Sequence, residues 1–301
     1  MHLTSKHDGG YEMLEIRNDQ VVLQVREELG AAISRYSFLD GRAIFRTAPE
    51  DSNVPFDMGC ILLIPWCNRV SGGGFYFNDQ FYPLASNIEG ETAALHGNAF
   101  QNVWQCIGQE SDSLTLRFDS SELEPFRYRA EATYTLEGAD LLVRLSVTNV
   151  GECALPYGVG IHPWFEQDKD TTIHAHAEQV LLNEEQNLPI AQESLSAHPA
   201  LDFSKAKSVP ENGLDNCFTG WNQQAELSWP SRGMKVQIEA DTMFTEYHVY
   251  SIGREGDFVC FEPVSHPANN HHWPDGSQQG LTVLKPGESI KTHCSFRVHL
   301  L

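Results

Sequence analysis

Apolar and polar residues along this chain alternate with a period of two. Val21, Leu23 and Val25 interleave with Val22, Gln24 and Arg26, and Met234, Val236 and Ile238 interleave with Lys235, Gln237 and Glu239. The longest run sets Ile290, Thr292, Cys294, Phe296, Val298 and Leu300 against Lys291, His293, Ser295, Arg297 and His299. Successive side chains of a strand point to opposite faces, so the pattern predicts strands with one face buried. Shorter strand-like runs occupy 114–118, 131–136, 141–147 and 258–261. Turn-forming residues separate them at 17–19, 137–140, 149–151 and 285–287, and 134–147 is expected to fold as a hairpin around 137–140. Long helical periodicity is absent, and the polar stretch 178–207 is expected to hold a short helix or a loop excursion. No G-x-G-x-x-G, P-loop, fixed repeat or linker run occurs, which argues against a nucleotide-binding α/β fold, a propeller or several domains. The expectation is an all-β chain, one domain over 1–301, built as a large antiparallel β-sandwich.

Charge narrows the partners. Twenty Lys and Arg against 41 Asp and Glu give a formal net charge of −21, a field that repels nucleic acids and anionic membranes. The longest apolar run, 60–67 (CILLIPWC), is far below the roughly 18 residues a membrane helix needs. The start MHLTSKHDGGYEM has no apolar leader segment, and seven widely spaced cysteines include no Cys-x-x-Cys pair. Reduced thiols and a cytoplasmic location are expected.

Four segments carry more chemistry than packing requires. Asn68-Arg69 follows an apolar run and precedes Gly72-Gly73-Gly74. His96-Gly97 is a dipeptide suited to close backbone approach. His162 lies in Gly160-Ile161-His162-Pro163-Trp164-Phe165, where Pro163 drives it toward extended backbone beside aromatic residues. Glu262 interrupts the apolar run Phe258-Val259-Cys260-Phe261 and precedes Pro263; a Glu in such a setting is rare unless paired or functional. Two His clusters compete with these. His174, His176 and Glu178 would share a strand face as a candidate metal triad. His266, His271 and His272 form a second patch, whose plain reading is a solvated loop with Asn269, Asn270 and Pro274. Neither has zinc-type spacing with cysteine, and no metal or other cofactor is expected.

In order, these segments resemble the motifs of the aldose 1-epimerase (galactose mutarotase-like) family. The matches are Asn68-Arg69, His96-Gly97, His162-Pro163-Trp164-Phe165, Asp215-Asn216-Cys217-Phe218, Val259-Cys260-Phe261-Glu262-Pro263 and Leu284-Lys285-Pro286-Gly287-Glu288. Trp164 stands where the family usually has Tyr. The resemblance implies a β-sandwich with an open sugar cleft on one sheet and no cofactor. It implies His162 as general acid and Glu262 as general base, with Asn68, Arg69, His96 and Asp215 holding the sugar.

The expected function is therefore cofactor-independent interconversion of the α and β anomers of a free aldose. The residue types suit it: ring opening needs a base at O1 and an acid at the ring oxygen, and closure on the other face needs the same pair reversed. Alternatives are a non-catalytic sugar-binding or regulatory sandwich, a glycoside hydrolase or lyase, and a hexose-6-phosphate 1-epimerase. A binding module has no use for both His162 and Glu262. A hydrolase would use two carboxylates. A phosphate pocket would need cations beyond Arg69, the only Lys or Arg among the proposed site residues. Neutral aldoses are thus expected as substrates.

Overall fold

The computed structural model describes residues 13–184, 187–272 and 280–301. The N-terminal stretch 1–12 and Pro274 of the His-rich patch lie outside the described residues. Two large antiparallel sheets organise the chain. The first has ten strands in the spatial order Met13–Arg17, Val21–Arg26, Ala32–Phe38, Cys60–Leu63, Gly160–Glu166, Phe258–Val264, Glu246–Ser251, Leu214–Thr219, Gln179–Asn183 and Pro189–Ser194. The second has eight: Thr172–Ala175, Gln224–Trp229, Met234–Ala240, Ser289–Leu300, Asp140–Asn149, Tyr128–Glu137, Ser113–Ser120 and Gln105–Gln109. Helical structure among the described residues is confined to 3-10 turns of three residues, and no helix is long and apolar enough to cross a membrane.

The alternation read from the sequence becomes the core between the sheets. Leu23, Val25, Ile161, Phe165, Val249 and Phe261 of the first sheet meet Leu114, Tyr134, Val143, Val236, Ile238 and Phe296 of the second in one buried cluster. Each such side chain stabilises the fold by about 1.5–3 kcal/mol through leaving water. The expected hairpin closes with Leu136 opposite Leu141 and Glu137 opposite Asp140, with Gly138 supplying a left-handed φ of 60°.

Two expectations need correction. The stretch 178–207 is not a helix or plain excursion at its start: Gln179–Asn183 and Pro189–Ser194 form a hairpin at the edge of the ten-stranded sheet. The outer strand is partly exposed along most of its length, so its pattern carries little apolar alternation. The His266 patch is not a solvated loop. His266 and His271 are buried; His266 Nε2 accepts the Cys67 N–H at 2.9 Å while its Nδ1 donates to the Pro267 carbonyl. It pins two segments together, and a Cβ on Gly158 would come within 2.1 Å of its ring.

The central strands of the ten-stranded sheet are covered on both faces. Behind Ile161, Phe165 and Phe261 lies the core. On the opposite face Ala32, Ile61, Leu63, Trp164, Cys260 and Val264 pack with Leu29, Met58, Cys67 and Phe100 from connecting segments. This second cover explains why Phe258–Val264 reads as a nearly continuous apolar run, and it turns the outer face of the sheet into the floor of a cleft.

Candidate active site

Period two decides which side chains reach that floor. With Ile161 and Phe165 directed to the core, His162 and Trp164 face outward; with Val259 and Phe261 inward, Cys260 and Glu262 face outward. On the next strands Tyr247 and Val249 are in the core, so His248 and Tyr250 share the cleft face, and Asp215 joins them. Register aligns them: Cys217 lies opposite His248, and His248 opposite Glu262. The cleft, about 470 Å³, is lined by all six residues singled out in the sequence: Asn68, Arg69, His96, His162, Asp215 and Glu262. Arg46, Phe56, Trp164, His248, Tyr250 and Phe258 complete much of its wall.

His162 and Glu262 form its centre. Nε2 of His162 is 3.2 Å from Oε1 of Glu262, and both side chains are buried. Burial pushes the Glu262 carboxyl up to about 8, partly opposed by the positive charge of His248. Burial also holds the His162 imidazole well below its ordinary range, reinforced by His96 and His248. The imidazole is held flat by Trp164, whose ring stacks on it at 3.8 Å with an interplanar angle of 16°. The Trp164 indole thus forms an apolar wall beside His162 and Glu262.

The rim is built from two short segments. Arg69–Val70 pairs with Ala94–Leu95, bringing Asn68 and His96 together. Both adopt left-handed backbone, at φ 57° and 59°, a conformation that Asn and His tolerate better than most residues. The His96 N–H donates to the Asn68 carbonyl and the Asn68 N–H donates to His96 Nδ1, each at 3.0 Å. An accepting Nδ1 leaves the proton of the neutral ring on Nε2. Burial, then the Arg69 charge, depress His96 to about 3, so it stays neutral and can serve as a hydrogen-bond donor rather than an acid. The glycine after it is required by contact: a Cβ on Gly97 would sit 2.0 Å from the Ile64 carbonyl oxygen. The Asn87 side chain braces the segment by bonding the Leu95 N–H and the Leu95 and Gly97 carbonyls.

The two cleft arginines are both engaged. Arg69 makes a two-pronged contact with Glu91 at 2.9 and 3.0 Å. Arg46 donates to the Phe56 and Met58 carbonyls and lies 5.2 Å over both the Trp164 and Phe258 rings.

His248 has no counterpart among the sequence candidates. Its Nε2 is 2.5 Å from Asp215 Oδ1. Burial pushes its basicity down, but the nearby Glu262 and Asp215 carboxyls outweigh this and raise it well above the ordinary histidine range. Asp215 is correspondingly held below its ordinary value: burial raises it, and the His248 contact prevails. No motif flags His248. The alternation of Tyr247 and Val249 around it assigns its face, but only the pairing with Phe258–Val264 places it beside Glu262.

Among the described residues, one group of His, Cys, Asp and Glu side chains brings three potential ligand atoms within 4.8 Å of one another: His162, Cys260 and Glu262. The candidate triad of His174, His176 and Glu178 does not assemble. His174 pairs with Glu226 on the outer face of the eight-stranded sheet, the strand ends at Ala175, and all three side chains are exposed.

Comparison with known proteins agrees with this geometry. The family model described as aldose 1-epimerase matches residues 12–297. The uncharacterized protein YphB of Escherichia coli K12 is 36% identical over 259 residues, covering 84% of this chain and 88% of that protein. A solved structure from Escherichia coli K12, provisionally described as an aldose 1-epimerase, superposes with a TM-score of 0.91 at 32% identity, covering 97% of this chain and all of that one. Galactose 1-epimerase from Lactobacillus acidophilus NCFM shares the fold, with a TM-score of 0.77 at 18% identity over 99% of this chain and 98% of that one. With the family match spanning nearly the whole chain and the ordered motifs converging on one cleft, the chain belongs to the aldose 1-epimerase family.

Proposed function

We propose that this protein interconverts the α and β anomers of a free aldose by acid–base ring opening and closure. The observation that carries the reading is the buried contact between His162 Nε2 and Glu262 Oε1 at 3.2 Å on the cleft floor. The two oxygens that exchange protons in mutarotation, O1 and the ring oxygen, are both bonded to C1. Their protein partners must therefore be close neighbours, as these two are. In opening, the Glu262 carboxylate takes the O1 proton while His162 protonates the ring oxygen. Rotation about C1–C2 and closure with the roles reversed gives the other anomer. The scheme uses side-chain proton transfer alone, and each positioned group contributes about 10²–10⁴-fold.

Because Glu262 is pushed up and His162 down, the pair at neutral pH holds a single proton. The neutral arrangement, carboxylic acid with imidazole, and the reactive one, carboxylate with imidazolium, differ only in where that proton sits. Their ratio is independent of pH until the pair loses the proton altogether. His96 Nε2–H and Asp215 supply a donor and an acceptor for sugar hydroxyls, and Trp164 an apolar surface for the ring. A neutral aldose suits the cleft better than a sugar phosphate, since Arg69 is held by Glu91 and Arg46 by backbone carbonyls.

The test is polarimetry, or NMR exchange spectroscopy, on freshly dissolved aldoses and their 6-phosphates. Expected is acceleration with at least one neutral aldose, lost in Glu262→Gln with the circular dichroism spectrum unchanged. A folded Glu262→Gln protein with full activity would overturn the mechanism, and a preference for a 6-phosphate at low and high salt would overturn the substrate class.

A further inference from the structure

We infer that His162, Cys260 and Glu262 form a binding site for one soft divalent cation of the Zn²⁺ class, and that its occupancy silences the acid–base pair. Two adjacent strands supply the donors. Cys260 and Glu262 are two residues apart and share the cleft face of Phe258–Val264, while His162 comes from Gly160–Glu166 alongside. Their ligand atoms lie within 4.8 Å of one another, with the imidazole nitrogen and carboxylate oxygen already 3.2 Å apart. Bonds of about 2.0–2.3 Å to zinc would draw the widest pair together by roughly 1 Å. A thiolate, an imidazole and a carboxylate make a three-ligand set that leaves one tetrahedral position open. The sulfur sets the selectivity: thiolate favours Zn²⁺ and Cd²⁺ over Mg²⁺ and Ca²⁺.

Cys260 has no part in the proton-transfer scheme. It lies buried in the floor, in register with Trp164 on one side and Tyr250 on the other. When the metal binds, the thiol proton passes to solvent, and so does the proton that His162 and Glu262 share. The metal then occupies the His162 Nε2 lone pair and a Glu262 oxygen, the two positions through which protons move. The binding half of this inference stands on geometry alone; the inhibitory half rests on the function proposed above.

The experiment titrates the full chain, stripped with chelator, with Cd²⁺ and follows the ultraviolet charge-transfer absorption of cadmium thiolate, with Zn²⁺ competition measured by calorimetry. Expected is one equivalent of absorbing site, lost in Cys260→Ser and retained in Cys153→Ser, which removes an exposed thiol. Expected too is that Zn²⁺ stops mutarotation, that EDTA restores it, and that Cys260→Ser stays active while becoming at least tenfold less sensitive to Zn²⁺. Cys260→Ala, with folding checked by circular dichroism, guards against a local effect of serine. Undiminished Cd²⁺ absorption in both folded Cys260 variants, or none in the wild type, would overturn the site. A wild type that gives the cadmium signal but accelerates no aldose would instead overturn the proposed function and leave the site standing.

Discussion

The two outer faces of this sandwich carry the same kinds of residue and behave in opposite ways. On the ten-stranded sheet, His162, His248 and Glu262 sit in a row roofed by connecting segments, and none is exposed. On the eight-stranded sheet, His174, Glu226, Lys235, Gln237, Glu239, Arg297 and His299 form an open ladder. There Lys235 pairs with Glu226 and Arg297 with Glu239, each at 2.8 Å, and His299 meets Gln237 at 2.8 Å. Strand alternation creates both rows; what separates them is water. In the open ladder solvent reaches and screens each charge. Under the roof, burial drives Glu262 up and His162 down until the two can trade one proton. On the proposed mechanism, chemistry comes from the cover over a strand row rather than from the row itself.

The largest expected effect tests that contrast at its centre. Glu262→Gln and His162→Asn should each lower kcat by about 10³-fold or more, because acid and base act in one transition state. The matching changes on the open face, Glu226→Gln and His174→Asn, should leave kcat within about twofold. Polarimetry on the four variants side by side decides the matter; a comparable loss on the open face would erase the distinction.

The pH profile sharpens it. The pair keeps its single proton until Glu262 ionises, so kcat/KM should be level through neutrality and fall above about pH 8. The His248 cation opposes the rise of the Glu262 carboxyl. In His248→Gln that opposition is gone, Glu262 binds its proton more tightly, and the alkaline fall should move to higher pH. A shift toward lower pH would show that His248 does not act on Glu262 through its charge.

These expectations also mark what the amino-acid order could reveal. The strands at 21–26, 234–240 and 289–300 were legible because alternation is a local property. So was the candidacy of His162 and Glu262 for the cleft they line, since an imidazole before proline and a carboxylate inside an apolar run are local anomalies. His248 was not, because its significance lies in cross-strand register with Glu262, and register depends on residues far apart in the chain. Nor was the burial of His266 and His271, which follows from a loop folding back over the Cys67 backbone. The hairpin of Gln179–Asn183 and Pro189–Ser194 was hidden for a further reason: an edge strand with wet flanks has little apolar pattern to display.

Burial without chemistry gives a smaller effect on the roofed face. Glu246 shares the strand and face of His248, is buried, accepts a hydrogen bond from the Thr245 hydroxyl, and is pushed up to about 7 by burial. Its folded-state pKa lies above the ordinary carboxylate value of 4.5, so the native state binds the extra proton between those limits. Stability should therefore fall as pH rises from about 4.5 to about 7 and stay lowered above that. Glu246→Gln keeps the shape and removes the titration. It should stabilise the fold by about 1–3 kcal/mol at pH 8 and little at pH 4.5. Urea denaturation at the two pH values reads this, and equal gains at both would show that the carboxyl is not the source.

The smallest effect belongs to the open ladder. Lys235 and Glu226 are each about a quarter exposed, and the Lys235 ammonium also lies on a face washed by solvent along its whole strand. An ion pair in that setting gains little, because water solvates both partners when they are apart and holding two long side chains together costs entropy. Lys235→Gln should cost about 0.5 kcal/mol or less, and the loss should shrink further in 1 M salt as the charges are screened. The double variant with Glu226→Gln should be no worse than the single one, since it removes the carboxylate left without its partner. Activity should not change in either. A loss above about 2 kcal/mol, of the size expected for a buried pair deprived of one member, would mean that this row is desolvated after all. The two faces would then differ in residue identity rather than in cover, and the account of why His162 and Glu262 are reactive would have to be rebuilt from their mutual geometry alone.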